Sequence, residues 1–545
     1  MTEQQANLFK LFKEIDAVCK KNNIEYTLAG GSAIGPVRHH GFIPWDDDMD
    51  IFMTRDNWMK FIEASKTDLP EGRCVLAQEL DHNYTNMFGR YCDKTATAIH
   101  RHAMYSTEQS GEIIDIFVLD PVISAPEQFN EYVQNVVLYS ELVNKTAPLY
   151  GYRFDVPAGR YLRYWFLSKI IGRNRVLDML QKKMFKYPVE ECDAYAMRWG
   201  GCPFLFPKEW FEKVRTCYME DGEYPIIYMN NAFLTWHYGD DWIYIPPVSE
   251  QKSHDTVSRL DMGSDEFRKH CEPFVHAGRK RFWLELLGTY RKAYYMRKAK
   301  KRERIAMGIL KDKAELISLD LKKRLEAINI NDIEKMARAR RFDELMEVFG
   351  PYMRFQLSRE CIGGHDFGDM LRYRKPCFVP VNDKVLHGFL MMLLYNNKVG
   401  KAVRLLEVRK LQPEYNEKTF EDIEYFIKKF RDSVNCYDIG KCEEGYELIK
   451  ELFAKYPDNP MLMKLVIRYA FYKKQGSVEE AAKLVHKGQE LCPEDGEFLY
   501  YDVRFVRQEK DPDKLKEEFE QVRSMTTNGM VLLEIEEYDY GCDSE

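Results

Sequence analysis

Four aspartates occupy five consecutive positions in the stretch Gly30–Met53, GGSAIGPVRHHGFIPWDDDMDIFM. Like charges at this density repel one another, so a fold that gathers them must offset the cost. A divalent cation bound by carboxylate oxygens would offset it. Trp45, Met49 and Ile51 flank the aspartates and favour partial burial over a solvated acidic turn. The stretch therefore predicts a cation site inside a folded domain.

The residues around Asp50 are apolar and β-branched, which predicts a strand. Alternate side chains of a strand share a face, so Asp48 and Asp50 are expected to project together as a clamp for Mg²⁺ or Mn²⁺. An EF-hand loop is a second interpretation, but its Gly and its final Glu are replaced by Ile51 and Asn57. A third is a nucleotidyltransferase-type site, in which a further carboxylate comes from a later strand.

Asp115 is the candidate for that further carboxylate, in the strand-like segment GEIIDIFVLD. Asp115 shares one face of the predicted strand with Ile113 and Phe117. A lone ionised Asp among apolar side chains would be costly without a partner. Asp115 is expected to complete the cation site, to act as a base toward an acceptor hydroxyl, or to do both.

A short strand, EYTLAGG, is expected to end in a turn formed by Gly30, Gly31 and Ser32. Glycines permit a tight turn with exposed backbone N–H groups. If Ser32 caps the helix that follows, the helix N-terminus favours an anion such as phosphate.

Composition limits the class of protein. The chain has 545 residues and a formal net charge of −7, so its surface as a whole does not predict a nucleic-acid partner. Its 13 cysteines show no CxxC pair, which is typical of reduced thiols in the cytoplasm. The start of the chain predicts an amphipathic helix and not a signal peptide, and no apolar run is long enough to span a membrane.

The pattern changes along the chain and predicts three parts: a mixed domain over residues 1–275, a basic helical connector over 276–320 and helical repeats over 321–545. The basic stretch Arg279–Lys313 reads as a solvated connecting helix. Its interleaved Lys, Arg, Trp and Tyr also suit a membrane-surface helix, which would place the protein at the inner face of the membrane.

The repeats resemble tetratricopeptide helices. Pro457 and Pro493 each follow one helix and precede another, and their separation is close to the usual period of about 34 residues. Such repeats are expected to bind a protein partner or to brace a dimer.

The ordered motifs resemble those of the LicD-type phosphocholine transferase family, which is related to the fukutin-like transferases. The Gly-rich turn, an Arg-His pair, GFIPWDDD and an Asp-hydrophobic pair occur in the family's order. IIDIFVLD (Ile113–Asp120) is similar to a second family element, and YGDDWIYIPP (Tyr238–Pro247) followed by KSHD is similar to a third. The resemblance covers about residues 1–260. It departs at Gly-Ser-Ala-Ile-Gly-Pro, where Gly-Thr/Ser-Leu-Leu-Gly-Ala is more usual, and in the added C-terminal repeats.

The resemblance implies an α+β nucleotidyltransferase-like catalytic domain followed by an all-α tetratricopeptide-like domain. It also implies a Mg²⁺- or Mn²⁺-dependent enzyme that moves phosphocholine from CDP-choline, or a similar group from another CDP-alcohol. The acceptor would be a sugar hydroxyl of a cell-surface glycan, such as lipopolysaccharide or teichoic acid.

Residue by residue, the resemblance assigns metal binding and catalysis to Asp48, Asp50 and Asp115. It assigns the donor site to Gly30, Gly31, Ser32, Arg38 and His39, and it assigns Asp240 and His254 to the acceptor or donor pocket. A polar helix end is the alternative for His39. A choline head group would suit an aromatic cage, for which neighbourhood alone suggests residues that are equally suited to packing: Trp45, Tyr105, Trp236, Tyr238 and Trp242.

Two other functions stay open at this point. The chain could transfer a nucleotide monophosphate to a small molecule or protein, or it could be a catalytically inactive repeat scaffold. The intact Asp48, Asp50 and Asp115 weigh against the scaffold.

Overall fold

The computed structural model describes residues 1–82, 84, 86–99, 111–143, 156–199, 202–253, 257–271, 279–358 and 377–539. They form two compact units. The first comprises Met1–Tyr228 and Pro247–Arg304, and the second comprises Met229–Pro246 and Ile305–Glu545. The prediction of a mixed α/β N-terminal domain and an all-helical C-terminal region is confirmed, while the nucleotidyltransferase and tetratricopeptide types stay predictions.

The strands all lie in the sequence of the first unit. Their bounds are β1 Thr27–Leu28, β2 Asp50–Thr54, β3 Arg73–Leu76, β4 Gly89–Asp93, β5 Thr97–Ile99, β6 Glu112–Val122, β7 Ala194–Trp199, β8 Cys202–Pro207, β9 Val214–Met219, β10 Gly222–Ile227 and β11 Val257–Arg259.

The main sheet has seven strands in the order β1-β2-β6-β4-β3, with β7 and β8 continuing from β6. Strand β6 is central: β2 pairs with it in parallel, β4 pairs antiparallel with its first half, and β7 pairs antiparallel with its second half. Ile114 and Ile116 of β6 are fully buried, as befits a strand with neighbours on both sides.

The helices of the first unit include the predicted amphipathic helix at the start of the chain and the part of helix α9, Arg279–Leu325, up to Arg304. Their bounds are α1 Glu3–Lys21, α2 Gly35–Arg38, α3 Arg55–Ala64, α4 Pro126–Val143, α5 Ala158–Ile170, α6 Arg173–Met184 and, later in the chain, α8 Ser264–Cys271. Helix α1 begins with a capping box between Thr2 and Gln5. Its apolar stripe, which includes Leu11, Phe12 and Ile15, is fully buried.

The second unit is helical among its described residues. Its helices are α7 Asn230–Tyr238, the C-terminal part of α9 Arg279–Leu325, α10 Ile333–Arg338, α11 Phe342–Gln356, α12 Asp383–Tyr395, α13 Val399–Lys410, α14 Glu417–Asp438, α15 Cys442–Lys455, α16 Pro460–Lys473, α17 Val478–Leu491, α18 Gly496–Tyr501, α19 Pro512–Met525 and α20 Gly529–Asp539. Within the described ranges, no helix has the length and apolar character needed to cross a membrane.

The segment Met229–Pro246 is built into this helical unit by backbone and side-chain bonds. The Asn231 backbone N–H donates to the Asp438 carboxylate over 3.0 Å, and the Ile245 N–H donates to the Thr527 carbonyl over 2.7 Å. The sequence had suggested a single mixed domain up to residue 275, whereas this short segment packs with the helices that follow.

Candidate functional site

The parallel register of β2 and β6 sets Asp50 directly opposite Asp115. Neighbouring strands lie about 4.8 Å apart, so these two carboxylates start from adjacent backbone positions. The Asp115 N–H donates to the Met49 carbonyl over 3.1 Å and extends the pairing by one residue. Two residues that are 65 positions apart in the chain are thereby brought together.

Asp50 is positioned by the Gly-Ser turn. The Asp50 N–H donates to Ser32 Oγ over 3.0 Å, and the Ala29 N–H donates to the Asp50 carbonyl over 3.0 Å. Gly30 has a φ of +53°, and a Cβ there would lie 2.8 Å from Asp50 Oδ2. A glycine is needed at this position both for the backbone conformation and for the space.

The expectation that Ser32 caps the following helix is wrong. Ser32 lies within a 3₁₀ turn, Gly30–Ala33, whose cap residue is Ala29, and α2 begins after Ile34. The Ser32 hydroxyl oxygen accepts the first amide of β2 instead, so the serine fixes the start of the aspartate strand.

The loop before β2 is held by the first turn of α1. Gln5 Nε2 donates to the carbonyl oxygens of Asp46 and Ile43 over 2.9 and 3.2 Å. The Gln5 side chain is buried, so these bonds fix the backbone path of the loop that carries the aspartates.

The aspartate carboxyl groups raise one another's pKa. Burial first, and then the charge of Asp115, raises the pKa of Asp50 well above its ordinary value. Burial first, and then the charge of Asp50, does the same to Asp48, which also hydrogen-bonds Asp46. In both cases ionisation of the carboxyl group is unfavourable, because too little positive charge lies nearby to compensate for burial and for the neighbouring aspartates.

Arg90 supplies part of that positive charge and was missed by sequence reasoning. It lies opposite Asp115 in the β4–β6 pairing, and its Nε donates to Asp115 Oδ1 over 2.7 Å. Its charge also lowers the pKa of Asp50, although burial and Asp115 outweigh it. No motif marks Arg90, because only the strand register reveals its neighbours.

Arg38 and His39 lie together at the end of α2. Arg38 Nε donates to His39 Nε2 over 3.0 Å, and the Arg38 guanidinium lies 5.9 Å from the Trp45 ring centroid. Burial first, and then the charge of Arg38, lowers the pKa of His39 to about 4. His39 is therefore neutral at pH 7 and accepts the bond that orients Arg38.

Asp240 belongs to the second unit. Its carboxylate accepts two bonds from Arg431, of 3.2 and 2.8 Å. Gly400 packs so closely that a Cβ there would lie 2.9 Å from Asp240 Oδ2. Trp236, Tyr238 and Trp242 are in the same unit, while His254 and Tyr105 lie outside the described residues.

The donor chemistry of the cluster fits a hard divalent cation. Asp48, Asp50 and Asp115 offer carboxylate oxygens. A bound cation would neutralise the negative charge that these carboxylates bring together. As the side chains stand, however, no three His, Cys, Asp or Glu residues in the described parts of the chain form a ready metal site. The fit therefore rests on the Asp50–Asp115 pair, with Asp48 close enough for its pKa to be raised, after burial, by the charges of Asp50 and Asp115.

Residues 23–141 match the model of the LicD/FKTN/FKRP nucleotidyltransferase domain. The match covers β1 to α4 and so includes the turn, the aspartate run and Asp115. The resemblance to the LicD family is thereby confirmed for this region.

Among individual proteins, the chain is 28% identical over 269 residues to the lipopolysaccharide cholinephosphotransferase LicD of Haemophilus influenzae. That alignment covers 47% of this chain and 95% of the relative. Two uncharacterized proteins match shorter stretches, one of Rickettsia typhi at 39% identity and one of Rickettsia prowazekii at 47%. These alignments cover 26% and 17% of the relatives and 15% and 8% of this chain. No solved structure matches the chain significantly.

Proposed function

We propose that this protein is a transferase that moves a phospho-alcohol, phosphocholine in the first instance, from a CDP-linked donor to a sugar hydroxyl of a cell-surface glycan. The named activity of the Haemophilus relative supports the phosphocholine group and a lipopolysaccharide acceptor. The observation that carries the proposal is the juxtaposition of Asp50 and Asp115 across two parallel strands, beside Asp48.

In this proposal Asp48, Asp50 and Asp115 hold a Mg²⁺ or Mn²⁺ ion. The ion would supply charge neutralisation on the diphosphate and orient it for in-line attack. Arg90 fixes the orientation of Asp115 through its 2.7 Å bond. Ser32 and Gly30 fix the backbone and leave space at Asp50, as already described.

Arg38 is proposed to contact the donor diphosphate, because a guanidinium offers a planar fork of donors to phosphate oxygens. Neutral His39 accepts from Arg38 Nε and so orients the guanidinium. Gly31 and the rest of the turn are proposed to line the same donor site.

The transfer makes one bond and breaks one. The acceptor hydroxyl oxygen attacks the phosphorus that carries choline, and the bond from that phosphorus to the oxygen bridging it to CMP breaks. CMP leaves with the bridging oxygen, and the hydroxyl proton passes to a carboxylate of the cluster, for which Asp115 is the candidate.

The test is a donor screen with the full chain, Mg²⁺ and a lipopolysaccharide acceptor, read by the mass of the modified glycan. A mass increase equal to phosphocholine supports the proposal, and an increase equal to CMP would replace it with nucleotidyl transfer. A lack of product with every CDP-alcohol, together with no thermal stabilisation by donor and Mg²⁺, would favour an inactive scaffold.

A further inference from the structure

Helix α9 exposes an apolar strip in its N-terminal half. Leu286, Leu287, Tyr290 and Tyr294 have exposed fractions of 39%, 53%, 68% and 44%. Single exposed apolar residues are ordinary on a protein surface, but four within nine positions of one helix are a patch.

The four side chains share one side of the helix. At 3.6 residues per turn they fall within about a third of its circumference. Tyr290 and Tyr294 stack with a centroid distance of 6.4 Å. Thr289, which lies outside this arc, is buried with an exposed fraction of 6%, so the packed side of the helix faces elsewhere.

Basic side chains follow the same strip. Lys298 and Lys301 fall within or beside the arc and are exposed, and Lys298 Nζ lies 5.9 Å from the Tyr294 ring centroid. The sequence of residues 286–304 contains eight Lys or Arg and one Glu, whereas the whole chain has a formal net charge of −7. The net charge of this stretch is therefore positive, opposite in sign to the net charge of the chain.

We propose that this surface, the Leu–Tyr–Lys face, binds the surface of an anionic phospholipid bilayer with the helix lying in the membrane plane. The face consists of Leu286, Leu287, Tyr290, Tyr294, Lys298 and Lys301. Leucines suit the boundary of the acyl chains, tyrosines suit the headgroup level, and lysines attract anionic headgroups.

The composition of the face favours lipid over other polyanions. A nucleic acid would engage the lysines and could stack on the tyrosines, but it offers nothing for the two adjacent exposed leucines. An acidic helix of another protein would cover the leucines but does not require tyrosines between apolar and basic positions. The proposal concerns attachment and does not depend on which reaction the carboxylate cluster performs.

The experiment is sedimentation of the full chain with vesicles of phosphatidylcholine alone or mixed with phosphatidylglycerol. We expect binding to the mixed vesicles only, weakened by salt. Lys298→Glu with Lys301→Glu should weaken it at least about tenfold, since each lysine near the surface contributes attraction. Tyr290→Ser with Tyr294→Ser should also weaken vesicle binding. This variant should lose the residual binding that the unchanged protein retains at high salt.

The matched control is Lys311→Glu with Lys313→Glu. These exposed lysines lie on the same helix, ten and twelve positions beyond Lys301 and past the end of the face, so the same change of charge should leave vesicle binding nearly unchanged. Equal loss in both charge-reversed variants, or absence of binding to the mixed vesicles, would overturn the proposal. Binding to an RNA oligonucleotide as strong as to vesicles, with no effect of the tyrosine changes on either, would reassign the face to nucleic acid.

Discussion

Asp115 and Asp120 lie on the same strand, β6, but their surroundings are opposite. Asp120 is fully buried, and its oxygens accept hydrogen bonds from Arg55 and Tyr132 within 2.8 Å, while Arg198 Nε lies 2.7 Å away as an ion-pair partner. Asp115 has Arg90 at 2.7 Å but faces Asp50 across the strand pair. One carboxylate is surrounded by donors, and the other belongs to a cluster with excess negative charge.

This difference separates a structural carboxylate from one that is suited to a ligand. Two arginines and a tyrosine satisfy Asp120, so another cation there would find no unmet charge. At Asp48 and Asp50 the raised pKa values show that the folded chain itself leaves charge uncompensated. Asp120 is fully buried while Asp48, Asp50 and Asp115 are partly exposed, so the two sites differ in burial as well as in the balance of charge.

The largest expected effect is the loss of activity when an aspartate of the cluster formed by Asp48, Asp50 and Asp115 is replaced. We expect Asp50→Asn to lower phosphocholine transfer by three to four orders of magnitude, about 4–5 kcal/mol, with little loss of stability. The amide keeps the size of the side chain but removes a charge that the fold tolerates poorly. Initial rates and urea unfolding measure the two quantities. Asp56→Asn, an exposed carboxylate at the start of α3, is the control for charge, and wild-type turnover by Asp50→Asn would contradict the assignment.

Asp120→Asn should show the reverse pattern. Removing one partner of a buried ion pair leaves Arg55 and Arg198 short of negative charge, which should lower the free energy of unfolding by about 3 kcal/mol. Pulse proteolysis in urea, read on peptides from β6, measures the stability of this unit. If stability instead stayed unchanged while turnover vanished, Asp120 would have to be counted with the catalytic cluster.

The two sites should respond to pH with opposite signs. Asp48 and Asp50 have raised pKa values, so their contribution to stability is present below about pH 4 and is lost as pH rises through those values. Burial would raise the pKa of Glu79, beside Asp120, but the charges of Arg55 and Arg198 and the hydrogen bonds to Glu79 together outweigh burial and lower that pKa. The Glu79 contribution is therefore present above about pH 4.3 and is lost as pH falls through its folded pKa.

Bound Mg²⁺ should prevent the loss of stability that Asp48 and Asp50 cause as pH rises. At 100 times its dissociation constant it should add about 2.7 kcal/mol to the stability of the folded chain. Unfolding series from about pH 2 to about pH 8 with Mg²⁺ or EDTA, on Asp50→Asn and Glu79→Gln, would assign each slope. A stabilisation by Mg²⁺ that persists in full in Asp50→Asn would place the ion elsewhere.

The smallest effect is expected in the second unit. Arg431→Gln should lower the stability of the helical unit by about 1–2 kcal/mol, since it removes charged bonds to Asp240 that remain partly exposed. Exchanging the charges, Asp240→Arg with Arg431→Asp, should recover part of that loss. If Arg431→Gln abolished transfer while stability held, Asp240 would act at the acceptor or donor pocket as the family resemblance suggests.

Local patterns were sufficient to predict the elements that carry the site. The apolar, β-branched content of MDIFMT and EIIDIFVLD predicted β2 and β6, and the spacing of Leu8, Leu11, Phe12 and Ile15 predicted α1. Helical periodicity likewise predicted the C-terminal region. The role of Ser32 was not predictable, because a serine before a helix suits a cap equally well and only the position of β2 shows which amide its oxygen accepts.

The sequence by itself determined the chemical content of the site: a crowded run of aspartates, a glycine where a side chain would collide with one of them, and a third aspartate in a later strand. Only the tertiary structure decided which groups meet. The parallel register aligned Asp50 with Asp115, β4 brought Arg90 against that pair, and Arg431 reached Asp240 from a distant helix. The physical reason is that charge compensation depends on distances across the fold, and residues far apart in the chain carry no local signal of that proximity.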